Sequence, residues 1–209
     1  KNVKVVGTPL RGVMRKSYDR NQAIEHFNLS SEKKTLLILG GSQGAYGINS
    51  VITDSLTDLK DLGVQIIHLT GPADYDRVSS LYEGVEIDSH IAPFCDCMQL
   101  AYASCDIAIA RSGASSLAEL SAFGIPSILV PYPYATDDHQ TLNAVVYSDA
   151  GASLMRQESE MSSSALISSL SQLLDSNNEV YKQMSSAMRK MAVIDAAENI
   201  CEQILVNSK

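Results

Sequence analysis

A GGSQGAYG turn at residues 40–47 carries the clearest chemistry in the sequence. It follows an apolar run at 35–39 and opens a helical pattern, so unpaired backbone amides and the positive end of a helix dipole would converge there. A phosphate suits such a turn, and the Ser42 hydroxyl would add a donor beside Gly41, Gln43 and Gly44. The spacing is not that of the phosphate-binding P-loop, since no lysine follows Gly44, nor that of GxGxxG. A tight turn that only needs glycine conformations is the structural alternative; Ser42 favours a ligand.

Two further segments combine unusual residues. In RSGASSLAEL, residues 111–120, Ser116 and Glu119 stand at the spacing of a capping box, in which the glutamate reaches back to the N-cap amide. The other use of Glu119 is to accept hydrogen bonds from the two ribose hydroxyls of a nucleotide, and the residues alone leave both open. In GIPSILVPYPYATDDHQTLNA, residues 124–144, a buried strand leaves into a loop with Pro131 and Pro133, and then a helix capped by Asp137 or Asp138. Asp137, Asp138 and His139 invite a metal reading, but capping is the better use of the aspartates, and neither metal nor cofactor is expected. Gln140 differs, because an amide both donates and accepts and so can read sugar hydroxyls.

Short β-rich runs at 35–39, 64–70, 85–91, 106–110 and 125–130 alternate with helical patterns and predict βαβ units around a parallel sheet. Ile48, Val51, Ile52, Leu56 and Leu59 recur at helical spacing with one face toward that sheet. After Gly151 a brief strand is expected near 152–155, then helices over 163–174 and 179–206 with polar outer faces. The fold class is α/β, a Rossmann-like doubly wound sheet with a helical tail, in one domain spanning 1–209. Residues 1–30 would form a connection and first helix, and 178–209 the terminal helices. In such sheets ligands sit beyond the carboxyl ends of the strands, where residues 40–47, 94–98, 111–119 and 131–143 fall.

Composition narrows the partners. With 24 acidic against 16 basic residues the net charge is −8, which argues against general affinity for nucleic acid or anionic lipid. No apolar run approaches the roughly 20 residues needed to cross a bilayer. The four cysteines, Cys95, Cys97, Cys105 and Cys201, have neither a paired CxxC framework nor histidines at zinc-finger spacing, and are read as buried free thiols in a reducing cytoplasm. The opening at Lys1, with neither a Met nor a signal-peptide pattern, reads as a piece of something longer.

GGSQGA, RSGASSLAEL and GIPSILVPYPYATDDHQTLNA, in that order and spacing, resemble the C-terminal domain of the MurG family, and the similarity covers essentially the whole chain. The resemblance implies the C-terminal half of a GT-B glycosyltransferase, two Rossmann-like domains facing a cleft. Such an enzyme transfers GlcNAc from UDP-GlcNAc, with inversion, to undecaprenyl-pyrophosphoryl-MurNAc-pentapeptide, converting lipid I to lipid II in peptidoglycan synthesis. It further implies an N-terminal domain, missing here, that carries the catalytic base, the acceptor site and the membrane-docking patch, so no catalytic residue is expected in this chain. The whole protein is then expected to be peripheral on the cytoplasmic face of the bacterial inner membrane, and the fragment alone inactive.

Carried over residue by residue, the resemblance puts Arg11 beside the uracil pocket, Ser42 on the diphosphate, and Cys95 where main-chain groups face the uracil edge. Ala114, Ser115 and Ser116 fall under the phosphates and ribose, with Glu119 as the ribose ligand. Gln140 falls on GlcNAc hydroxyls, with His139 beside it. The competing expectations are a protein like UDP-GlcNAc 2-epimerase, and a separate donor-binding subunit of a split GlcNAc transferase.

Overall fold

The computed structural model describes residues 4–41, 44–174 and 179–207. The apolar runs become strands because each finds cover on both faces. Among the described residues, β1 (Lys34–Leu39), β2 (Val64–Leu69), β3 (Ser89–Ala92), β4 (Ile107–Ala110), β5 (Ser127–Leu129) and β6 (Ser153–Met155) form one parallel sheet in the order β3-β2-β1-β4-β5-β6. Alternate residues of β1 serve opposite cores: Leu36 and Ile38 join Ile66, Ile107, Ile109 and Ile128, whereas Leu37 and Leu39 join Ile67, Leu69, Ala108 and Leu129. Burial on both faces is why these strands read as continuous apolar runs rather than as alternation.

The first core is covered by α2 (Tyr46–Asp54), α3 (Leu56–Asp61), α4 (Tyr75–Tyr82) and α8 (Ser163–Leu173). The second is covered by α5 (Met98–Ser104), α6 (Ala114–Phe123) and α7 (His139–Asp149), with α1 (Arg20–His26) packed on α5. α9 (Glu179–Lys190) straddles the sheet edge, giving Met184 to one core and Met188 to the other. The chain winds outward from β1 in one direction and from β4 in the other, so the crevice between their carboxyl ends is the switch point at which doubly wound folds bind ligands.

Some boundaries differ from the sequence expectation. The strand expected at 85–91 begins only at Ser89. Gly84 takes φ +84° and the Ile87 amide bonds the Val85 carbonyl, a turn that keeps 85–87 off the sheet, so β2 pairs only with 89–92. The helix expected to carry Ile48 through Leu59 breaks at Ser55, whose hydroxyl donates to the Val51 carbonyl. The tail divides into α9 and α10 (Ala196–Asn207), and the outer face of α10 is not polar: Ile204, Leu205 and Val206 are 59–69% exposed. Of the cysteines only Cys95 is buried; Cys97 and Cys105 are half-buried and Cys201 exposed, so uniform burial was the wrong expectation.

The amino-terminal segment is tied to the far end of the chain. Arg15 pairs with Asp195 at 3.2 Å and Glu198 at 2.7 Å, and Gly7, at φ +85°, packs where a Cβ would strike Val193. On the amino-terminal edge of the sheet the Asp106 carboxylate accepts from Arg20, Lys34 and the Thr35 amide, and fastens the entry segment beside β1 and β4.

Candidate functional site

Two helices begin at the switch point without a side-chain N-cap. α2 starts after Ala45 and α6 after Gly113; neither N-cap side chain bonds the helix, and neither first turn holds an acid. Their first amides and dipoles favour an anion, and at α2 the Glu158 carboxylate already lies against Gly47 in the first turn. The glycine turn is pressed against the end of β2: Gly44, at φ +77°, has no room for a Cβ beside the Thr70 carbonyl, and its amide bonds the Gly41 carbonyl at 3.0 Å. Ser42 and Gln43, both expected at the phosphates, lie outside the described residues.

A buried polar network supports that turn. Asn49 on α2 donates to the Thr70 carbonyl and to Asp74, at 2.9 and 2.7 Å. Its amide oxygen therefore accepts from His68 Nε2 (3.0 Å), and His68 Nδ1 accepts from the Tyr82 hydroxyl (3.0 Å), which defines a neutral imidazole. Burial lowers the His68 pKa to about 3, against an opposing pull from Asp74. Asp74 is held by Arg77, whose guanidinium lies 4.5 Å from the centroid of the Tyr46 ring at the start of α2.

Two cavities meet at the turn and share Gly41. The smaller, about 220 Å³, is lined by Arg11, Pro93, Phe94, Cys95, Tyr102, Ser116 and Glu119, among others. The larger, about 680 Å³, is lined by the glycine turn, the start of α2, Arg111, Tyr132, Gln140 and Glu158. Both lie within or near the size range of small-molecule sites. A third cavity, lined by Lys16, Arg20, Asp106 and Arg189 among others, opens at the amino-terminal edge of the sheet, away from this crevice.

The structure excludes the capping box that the Ser116–Glu119 spacing allowed. Gly113 is the N-cap, so Ser116 lies inside α6 and no capping box forms. The glutamate, 16% exposed, instead takes the Tyr102 hydroxyl on Oε2 at 2.9 Å and Arg11 on Oε1 at 3.3 Å. Asp137 and Asp138 do not cap α7 either. Both turn through left-handed backbone, φ 53° and 51°, and Asp138, at the N-cap of α7, makes no side-chain cap bond to the helix. His139 is exposed and donates from Nδ1 to the Thr136 carbonyl at 2.7 Å, outside both cavities.

Gln140 lines the larger cavity with its amide already oriented. Its oxygen accepts from the Tyr132 amide at 3.0 Å, which leaves its NH₂ group to donate. Cys95 lines the smaller cavity, and burial, followed by the nearby Cys97, pushes its thiol up to about 12. Ser116 joins it there, whereas Ser115 lines neither cavity and Ala114 faces a separate small one with Gly7, Thr8 and Asn143.

Sequence reasoning missed three residues. Tyr102 sits on an apolar face of α5 and reads as core, which it also is. Arg111, its side chain 8% exposed, holds the carbonyls of Val130 and Pro131 and pairs with Glu158. It sets a guanidinium, paired with a carboxylate, beside the glycine turn, and nothing local in the sequence points to Glu158 as its partner.

A six-stranded doubly wound parallel sheet with two helices and a glycine turn at its switch point defines the Rossmann-like class of α/β domain. Within that class, residues 35–200 match the model of the Glycosyltransferase family 28 C-terminal domain, and the chain belongs to this family. It is 39% identical over 204 residues to the UDP-N-acetylglucosamine–N-acetylmuramyl-(pentapeptide) pyrophosphoryl-undecaprenol N-acetylglucosamine transferase of Leuconostoc mesenteroides, covering 97% of this chain and 56% of that protein. The enzyme of the same name from Methylococcus capsulatus is 39% identical over 170 residues, covering 81% and 48%. The crystal structure of Acinetobacter baumannii MurG superposes with a TM-score of 0.77 at 28% identity, over 92% of this chain and 54% of that one. The fold is thus that of the C-terminal half of a GT-B glycosyltransferase, and the chain spans about half the length of the curated relatives it matches.

Proposed function

We propose that this chain is the UDP-GlcNAc-binding half of an inverting glycosyltransferase that passes GlcNAc to undecaprenyl-pyrophosphoryl-MurNAc-pentapeptide at the cytoplasmic face of a bacterial inner membrane. The observation that carries the reading is Glu119, aimed into a small cavity that meets the glycine-turn cavity at Gly41. Uridine fits the first cavity, with its ribose hydroxyls on Glu119 and its base against the segment around Cys95. The diphosphate then lies over the amino ends of α2 and α6, and the sugar reaches Gln140.

The chemistry asked of this chain is leaving-group stabilisation. Negative charge grows on UDP as the glycosidic bond breaks, and fixed amides, helix dipoles and the Arg111 guanidinium meet it without reorganising. The general base for the acceptor hydroxyl is assigned to the partner domain, so this chain binds donor and transfers no sugar alone.

Titration of the chain with UDP by calorimetry tests the reading. A charged hydrogen bond is worth roughly 1.5–3 kcal/mol, so Glu119→Ala should weaken UDP about tenfold or more. Unchanged affinity in that variant would refute the ribose assignment, and sugar transfer to a lipid I analogue by the chain alone would refute the division of labour.

A further inference from the structure

Glu119 would be of little use as a ribose acceptor if its side chain were free to swing. A glutamate has three rotatable bonds, and an exposed one would have to be ordered at the moment of binding, at a cost in affinity. Here both oxygens are already engaged, each by one donor: Oε2 by the Tyr102 hydroxyl at 2.9 Å and Oε1 by Arg11 at 3.3 Å. A carboxylate oxygen has two acceptor positions. One on each oxygen therefore remains, which is what two vicinal hydroxyls require.

The two donors differ in kind. The Arg11 side chain is 55% exposed, whereas Tyr102 is buried in the same core as Leu39, Leu69 and Leu117, and its ring centroid lies 5.4 Å from that of Phe123. Burial, and then the neighbouring carboxylate, push the phenol well above its ordinary value, so the hydroxyl keeps its proton and remains a donor. Tyr102 lines the smaller cavity as well, below Glu119.

We propose that Tyr102 is a positioning residue that aims Glu119 at both ribose hydroxyls, and thereby makes this pocket select ribonucleoside diphosphates over their 2′-deoxy counterparts. The proposal rests on the reading of Glu119 as ribose acceptor. Selectivity follows because a 2′-deoxy ligand leaves one oriented acceptor position unfilled in a site built to use both. A carboxylate that can turn re-forms its remaining bonds around a single hydroxyl and loses the distinction.

The test is calorimetric titration of the whole 209-residue chain with UDP and with 2′-deoxy-UDP, for the unaltered protein, Tyr102→Phe, Glu119→Gln and the double variant. Phenylalanine keeps the ring and its packing. The unaltered chain should prefer UDP by about tenfold, the value of one hydrogen bond to a charged group. Tyr102→Phe should reduce that preference to about threefold or less, and the double variant should match Glu119→Gln alone, because the tyrosine acts through the glutamate. If Glu119→Gln loses the preference while Tyr102→Phe keeps it, Tyr102 is packing alone and this inference fails while the ribose reading stands. If Glu119→Gln itself keeps the preference, the ribose reading fails, and this inference with it. A Tyr102→Phe chain that no longer melts cooperatively would also refute the proposal, since its hydroxyl would then be a requirement of the fold.

Discussion

Acidification should loosen this protein, and the share that belongs to His68 can be isolated. His68 is fully buried on β2 as a neutral imidazole, donating to Asn49 and accepting from Tyr82, with its pKa lowered to about 3 from 6.5. Because the folded value is depressed, the contribution is complete above the unfolded value of 6.5 and is lost as pH falls from there toward 3. In that interval the unfolded chain binds a proton that the folded one refuses, at about 1.4 kcal/mol per pH unit. At pH 5.0 the loss is therefore about 2 kcal/mol, and it is insensitive to the folded value so long as that stays well below 5. Urea unfolding at pH 7.5 and pH 5.0, for the chain and for His68→Gln, isolates the effect. Contributions common to the two proteins cancel in the difference. The unaltered chain should lose about 2 kcal/mol more than the variant on acidification. Equal losses in the two would refute the buried-neutral assignment.

Two substitutions probe the larger cavity. Gly44→Ala places a Cβ against the Thr70 carbonyl at φ +77°, a strain of about 1–3 kcal/mol, and should displace the turn enough to weaken UDP at least tenfold by calorimetry; unchanged affinity would show that the turn does not hold the diphosphate. Gln140→Ala should weaken UDP-GlcNAc while UDP alone binds as before, because Gln140 lines the larger cavity with its oxygen held by the Tyr132 amide and its NH₂ left to donate. Equal losses for both ligands would place Gln140 elsewhere in the site.

How much of this was legible depends on whether the deciding contact is local. Strands β1, β2 and β4 were readable because burial on both faces leaves a continuous apolar run. The 85–91 stretch misled, since Val85, Ile87 and Ile91 carry strand spacing while Gly84 in left-handed backbone sends the segment into a turn first. The Ser116–Glu119 spacing was misleading for a related reason. It cannot tell an N-cap from the third residue of a helix that began at Ala114, and that start is set by where β4 ends. The glycine turn was visible, because its requirements are those of its own backbone. Tyr102 was not. Its partner is 17 residues away on another helix, and only packing of α5 beside α6 makes a core tyrosine into a donor.

The clasp between Arg15 and the Asp195–Glu198 corner has a consequence for synthesis. Its exposed ion pairs add little to equilibrium stability, by general experience about 0–1 kcal/mol each. Their sequence separations, 180 and 183 residues, matter more. As the polypeptide emerges from the ribosome at about 5–20 residues per second, β1 can find β2 early, but Gly7 and Arg15 cannot meet Val193, Asp195 and Glu198 until the end of the domain has been made. The first part of this domain to be translated is thus among the last to be fastened. A nascent chain stalled short of Val193 therefore carries this entry segment without the clasp that fastens it in the finished fold.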